Sequence, residues 1–248
     1  LYLFISMISL RLITVILLNF YLFSLQSQEI KNHNNFTVVI DPGHGGKDPG
    51  AVSNGFYEKI IALNTSLKLG QLLQDNGINV IYTRDKDKFV NLLERANIAN
   101  KSDAQLFISI HCNSHSSQAY GAETFVLGLH ANQRNFEVAK KENSVIFFED
   151  DYESAYAGFD PNNPESVIGL TLMQEEYLDQ SIIAASYIQN GFVNRLNRKN
   201  RNIKQAGFIV LKYTYMPSVL IELGFLSNKK EGAYCLLYTS PSPRDTIR

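Results

Sequence analysis

The sequence predicts an α/β fold: a single domain on a largely parallel, twisted sheet with helices on both faces. Three observations predict it. The chain has 248 residues, 45% of them hydrophobic and 19% charged, which is ample for one core. Short apolar runs alternate with longer segments of helical period, as in a parallel sheet covered on both sides. Three of those runs end in chemistry: Thr37–Asp41 leads into His44, Leu106–Ile110 into His111, and Ser218–Ile221 into Glu222. Ligands bind at the carboxyl edge of open α/β sheets. Two histidines and a carboxylate at that edge suit a metal-assisted hydrolase.

The elements follow in order. The strand Thr37–Asp41 runs into the glycine-dense turn Pro42-Gly43-His44-Gly45-Gly46. A helix opens at Glu58, carries Ile60, Leu63, Leu67, Leu69, Leu72 and Leu73, and ends at Gly77. Ile78–Thr83 is the next strand, Arg84–Asp87 a charged loop, and Leu92, Leu93, Ala96 and Ala99 mark a second helix that stops near Asn100. The His111 strand follows, then a strand over Gly121–Leu127. From Glu142 to Thr171 the chain is acidic and poorly periodic, long enough to be read as a functional insertion. A long helix is expected over Met173–Asn197, with Leu178, Ile182, Ala185, Ile188, Phe192 and Leu196 on one stripe. Gly207–Lys212 and Ser218–Glu222 are the last two strands expected.

The ends stand apart. Arg11 precedes the apolar run Leu12–Leu25, and Ser24, Ser27 and Gln28 follow, so residues 1–28 read as a signal peptide and 29–36 as a polar linker. The membrane is then met only transiently, during export. Residues 235–248, which include Thr239-Ser240-Pro241-Ser242-Pro243, resemble the translation of a transposase-type sequencing adapter and are set aside as a non-native tail. That leaves 37–234 as the catalytic domain, with Cys112 its one cysteine and no internal disulfide. A net charge of −1 gives no reason to expect a nucleic-acid partner.

Imidazole and carboxylate suit Zn²⁺, and a catalytic zinc takes three protein ligands. His44 and His111 supply two. Glu58, at the start of its helix and near the same edge, is the best third. Glu222 follows four apolar strand residues, where a carboxylate is costly unless paired or beside a cation. It reads as a general acid or base, or as a salt-bridged structural residue. Glu123 either supports the site or is solvated. Cys112 faces away from His111 on a strand and reads as a small buried hydrophobe. His115 is placed at the rim. His33, His130 and the sequon at Asn35 have no assigned role. Arg84 and Arg95 either position substrate carboxylates or form structural ion pairs.

Val39-Ile40-Asp41-Pro42-Gly43-His44-Gly45-Gly46, Glu58, Ser109-Ile110-His111-Cys112-Asn113-Ser114 and Val219 to Asn228 together resemble the zinc-dependent N-acetylmuramoyl-L-alanine amidases of bacterial cell walls, the amidase-3 family. Tyr82-Thr83-Arg84-Asp85, Leu93 to Asn97 and Gln205 to Phe208 strengthen the resemblance, which covers about 37–233. It implies Zn²⁺ held by His44, Glu58 and His111, and Glu222 as the catalytic acid/base. It also implies peptidoglycan as substrate, cut between N-acetylmuramic acid and L-alanine of the stem peptide, in the periplasm or cell envelope. The alternatives are a catalytically inactive wall-binding adaptor and a zinc hydrolase of another wall component. The stretch 142–171 resembles the regulatory insertion of division-associated amidases, in which a helix blocks the zinc until an activator protein displaces it. Glu149 is the favoured blocking residue, ahead of Glu142, Asp150, Asp151 and Glu153.

Overall fold

The computed structural model describes residues 36–128, 133–156, 159–163 and 175–239. Six strands form one sheet in the order β4-β1-β5-β8-β6-β7. They are β1 (Thr37–Pro42), β4 (Asn79–Tyr82), β5 (Leu106–Asn113), β6 (Ala122–Leu127), β7 (Asn200–Ala206) and β8 (Ser218–Phe225). β4, β1, β5 and β8 are parallel; β6 runs antiparallel to β8, and β7 runs parallel to β6. The expected largely parallel sheet is therefore present, with a reversed pair at one side.

The sheet is apolar on both faces because helices cover both. Val39, Phe107, Leu220, Phe125 and Leu127 point into one core with Leu92, Ala99, Val138, Ala139 and Phe208. Val38, Ile40, Ile108, Ile110, Val219, Ile221 and Val126 point into the other, against Leu69, Leu73, Leu178, Ile182, Ala185 and Ile188. The alternation along each strand thus divides its side chains between two cores. On the first face the carboxyl edge carries a row of ionisable groups. Asp41 and Ser109 are register partners, as are His111 and Glu222, and Glu222 and Glu123.

Before the first helix the chain makes a two-stranded hairpin, β2 (Val52–Ser53) and β3 (Phe56–Tyr57). Asn54 and Gly55 turn it with φ of 53° and 81°, the Asn-Gly geometry whose twist matches a hairpin. The hairpin sets the entry to α1 (Glu58–Asp75). Gly77, at φ 78°, donates its N–H to the carbonyl of Gln74 and ends the helix as expected. The buried face of α1 differs from the expected leucine stripe. Ile61, Ala62, Ser66 and Gly70 are buried, whereas Ile60 and Leu72 are exposed. Small residues win because the helix lies close to the sheet: a Cβ on Gly70 would sit 1.7 Å from the Tyr82 hydroxyl. The second helix, α2 (Leu92–Asn100), is where it was expected; the Asn91 side chain caps it, accepting the Glu94 N–H at 2.7 Å.

Two expectations need correction. Gly207–Lys212 is not a strand. The strand is β7, just before it, and Ile209–Lys212 forms a short helix. β7 reads Asn-Arg-Asn-Ile-Lys-Gln-Ala and lies at the sheet edge, so it needs little apolar content, while Phe208 to Leu211 is buried core. The second correction concerns the insertion. Its first residues belong to α3 (Gln133–Asn143), followed by a 3₁₀ turn at Ser144–Phe148 and the one-turn helix α4 (Tyr152–Ala155). Phe136, Val138 and Ala139 of α3, which precede the insertion, and Val145 and Ile146 inside it are buried in the main core, so neither α3 nor the start of the insertion is loosely attached. Residues 164–171 of the insertion lie outside the described residues. The long helix is α5 (Glu175–Asn194), α6 is Ile209–Lys212, and the last is α7 (Lys229–Thr239). Cys235 on α7 is buried with Cys112 and Leu226, and both thiols are free.

Candidate metal centre and its carboxylates

The turn after β1 is held from below by two buried arginines. Arg84 donates to the carbonyls of Pro42 and Gly43, and Arg95 to those of Pro42 and His44. Arg95 also pairs with Asp41 at 2.8 Å, and Asp41 accepts from Thr83 and Ser109. Burial works against the Asp41 charge, but Arg95 and the two hydroxyl groups hold its pKa below the ordinary value. Of the two readings of these arginines the structural one holds, because their guanidinium groups are used up on the backbone of the loop.

This clamp keeps His44 in the left-handed region at φ 60°, a conformation that costs energy outside glycine. The turn also approaches its neighbours closely. A Cβ on Gly43 would lie 2.4 Å from His111 Cε1, and one on Gly50 would lie 2.5 Å from His44 Cδ2 and 2.8 Å from Glu58 Oε2. Both glycines therefore leave room for site side chains.

His44, Glu58, His111 and Glu142 converge, each offering a ligand atom within 4.8 Å of the others, and all four are buried. His44 Nε2 lies 3.1 Å from Glu58 Oε1 and 3.0 Å from Glu142 Oε2; His111 Nδ1 lies 3.1 Å and 3.0 Å from the same two oxygens. Zinc–ligand bonds of about 2.0–2.2 Å in a tetrahedron separate the donor atoms by about 3.3–3.6 Å; the four contacts are a few tenths of an ångström shorter than that and all donor atoms lie within 4.8 Å, so the four side chains are close enough to share one ion. Other contacts fix their orientation. His44 Nδ1 is 2.7 Å from Asp48 Oδ2, the carboxylate–imidazole support common at metal-bound histidines. Glu58 Oε2 accepts the Ala51 N–H, and Oε1 accepts the Cys112 N–H at 2.8 Å. His44 Nε2 and Glu142 Oε2 lie 3.0 Å apart but form no hydrogen bond of good geometry among the described residues.

The charge balance favours a cation. Burial opposes charge on His44, yet Glu58, Asp48 and Glu142 hold its pKa well above the ordinary value. Burial likewise opposes charge on His111, and Glu142 and Glu58 raise it to about 9. Glu222 is fully buried with neither oxygen hydrogen-bonded among the described residues; burial first, then Glu142 and Glu58, push its pKa well up. Lys141 pairs with Glu142 at 3.1 Å and lies 3.6 Å from Glu58. The donor set and the excess of carboxylate fit a divalent metal ion.

The residues singled out from the sequence divide clearly. His44, Glu58 and His111 meet, and Glu222 stands beside His111 in register. Glu142 joins them and Glu149 does not. Glu149 accepts the Leu92 N–H at the start of α2 and the Tyr156 hydroxyl proton at 2.8 Å. A signal for Glu142 existed: Asn135, Phe136, Ala139, Glu142 and Asn143 recur at helical spacing and are buried on one side of α3. Glu123 is not solvated; it is buried and paired with Arg134, Arg201 and Lys204. Cys112 packs on the face away from His111, beside Ile61 and Leu226. His115 lies at the exposed end of β5, its ring 2.9 Å from the Ser117 hydroxyl. His33, His130 and Asn35 fall outside the described residues.

Comparison with known proteins identifies the family. The sequence pattern of the Amidase_3 family, described as N-acetylmuramoyl-L-alanine amidase, matches residues 38–238. The N-acetylmuramoyl-L-alanine amidase AmiA of Escherichia coli K12 is 32% identical over 206 residues, covering 81% of this chain and 69% of AmiA. The crystal structure of an N-acetylmuramoyl-L-alanine amidase from Clostridium difficile 630 superposes with a TM-score of 0.61 at 28% identity, over 83% of this chain and 89% of that one. The CwlD amidase of Clostridioides difficile, solved in complex with the GerS lipoprotein, superposes with a TM-score of 0.52 at 27% identity, over 83% of this chain and 91% of that one. The chain belongs to the Amidase_3 family of N-acetylmuramoyl-L-alanine amidases.

Proposed function

We propose that the chain hydrolyses the amide between the lactyl group of N-acetylmuramic acid and L-alanine of the stem peptide, as an exported zinc enzyme held in check by Glu142. The observation that carries this is the convergence of His44, Glu58, His111 and Glu142 on one point beside Glu222. Zinc bound by His44, Glu58 and His111 supplies Lewis acidity, which acidifies water and polarises a carbonyl. Glu222 takes a proton from the attacking water and returns it to the leaving L-alanine amine, a role suited to a carboxylate whose burial raises its pKa. His44 is oriented by Asp48, and Glu58 by two backbone N–H groups. The export reading rests on the apolar run Leu12–Leu25 after Arg11 and on a substrate outside the membrane. Among the described residues no helix is long and apolar enough to cross a membrane.

A catalytic zinc keeps one position open, and a fourth protein ligand closes it. With zinc bound, Glu142 would supply that fourth ligand, so it acts as the gate in this reading, and an activator protein would withdraw it. Because α3 and the following 3₁₀ turn are both packed into the core, release in this reading swings the Glu142 side chain out of the site rather than detaching either element. Replacing Glu142 should therefore open the site without an activator. The expected result with Glu142→Ala is a basal hydrolysis of isolated peptidoglycan raised by about tenfold or more, equivalent to removing a closing preference of a kcal/mol or two. Mass spectrometry of the fragments should show new L-alanine amino termini and intact N-acetylmuramic acid. Zinc content that stays at one per chain with activity unchanged or lower would count against the gate; fragments cut elsewhere would count against the amidase assignment.

A further inference from the structure

Glu123 is fully buried and stands in register with Glu222 across β6 and β8. Residues so opposed lie about 4.5–5.5 Å apart at Cβ, so His111, Glu222 and Glu123 form one line over three neighbouring strands. Three cations surround Glu123. Arg134 and Arg201 bind its Oε1, and Lys204 Nζ lies 2.9 Å from Oε2. Arg201 lies over the Phe225 ring at 4.8 Å, and Arg134 over the same ring at 6.0 Å. Among the described residues the cluster has one carboxylate for three cations, and its cationic side chains keep 31%, 18% and 14% of their surface exposed, for Arg134, Arg201 and Lys204. Burial lowers the Lys204 pKa, and the neighbouring guanidinium groups lower it further, although Glu123 opposes both. A structural staple for one buried glutamate needs a single partner; a surplus of two positive charges in partial burial is costly unless an anion completes it.

We propose that Arg134, Arg201 and Lys204, positioned by Glu123, form a subsite that binds a carboxylate on the peptide side of the scissile amide. The chemistry selects that side. The lactyl carboxyl of the sugar is consumed in the amide and the N-acetyl group is neutral, so the anionic groups near the cleaved bond belong to the peptide. The guanidinium groups, fixed between Phe225 and Glu123, present a planar fork suited to a carboxylate. This inference rests on the amidase reading.

The test uses the zinc-loaded full chain and two soluble substrates, N-acetylmuramoyl-L-alanyl-D-glutamate and its D-isoglutamine form, which differ only in the α-carboxylate of the second residue, the carboxylate assigned to the subsite. The acid form is expected to have kcat/KM higher by about tenfold or more, carried by KM, the scale of one charge-assisted contact. Arg201→Gln and Lys204→Gln should each bring the two substrates to within about twofold by raising KM for the acid form alone. Arg201→Lys should keep part of the preference. The amidated substrate reports on folding in the same assay, since a merely structural loss would slow both. Equal values in the unmodified chain, or a preference untouched by both variants, overturns the subsite. Hydrolysis of neither compound, even with Glu142→Ala, contradicts the amidase reading instead. The subsite is then judged by calorimetry as the difference in Kd between the two compounds, with the same outcomes deciding it.

Discussion

Glu222→Gln is expected to lower kcat on peptidoglycan by about 10²–10⁴-fold, the usual contribution of a positioned acid or base. The substitution is nearly isosteric, and Glu222 makes no hydrogen bond among the described residues that an amide would break. The amide keeps the shape of the buried carboxyl group, so the fold is expected to be retained. Zinc content and thermal midpoint should stay within error of the unmodified chain. KM should change far less than kcat, because Glu222 is asked to move a proton rather than to hold substrate. Near-normal turnover in a folded, zinc-loaded variant would make Glu222 a structural residue.

His44→Ala and His111→Ala are expected to abolish measurable hydrolysis and to lower zinc content sharply. Each removes one of three proposed ligands and leaves the buried Glu58 and Glu142 carboxylates with less positive charge beside them. The Lewis acidity supplied by a metal is worth several kcal/mol of transition-state stabilisation, a rate factor of about 10³ or more. His44→Gly should relieve the φ 60° strain that His44→Ala keeps, so a loss of activity in the glycine variant without a loss of stability separates a ligand from a structural histidine. Elemental analysis of the purified variants beside the activity assay checks this. Full zinc occupancy in both would remove His44 and His111 from the ligand set.

Much of this site was legible in the sequence because the sheet itself writes it. His44, His111 and Glu222 each follow an apolar run, and parallel strands bring run-ends to one edge. Glu58 was legible from its place at a helix start. Glu142 was legible only weakly, through the helical recurrence of Asn135, Phe136, Ala139 and Asn143 around it, because α3 is a polar helix with few apolar residues and the acidic triplet Glu149-Asp150-Asp151 offers a stronger charge signal. The roles of Arg84 and Arg95 were open for a similar reason. A guanidinium that binds backbone carbonyls leaves no pattern in the side chains of its partners. The misplaced strand at Gly207–Lys212 shows the limit of apolar runs as evidence: four buried residues in a row serve a helical turn as well as a strand. The edge strand β7 carries no apolar signature because a strand paired on one side tolerates Asn, Arg and Lys.

Reconstitution of the metal-free chain with zinc tests the central claim most directly. The protein is stripped with a chelator, zinc is added back in substoichiometric steps, and release of L-alanine amino termini from isolated peptidoglycan is followed at each step, in the Glu142→Ala background. Zinc-dependent hydrolysis predicts no release before addition, a linear rise, and a plateau at one zinc per chain. Release at the full rate from the metal-free protein, or a plateau with no release after one zinc has bound, would contradict it.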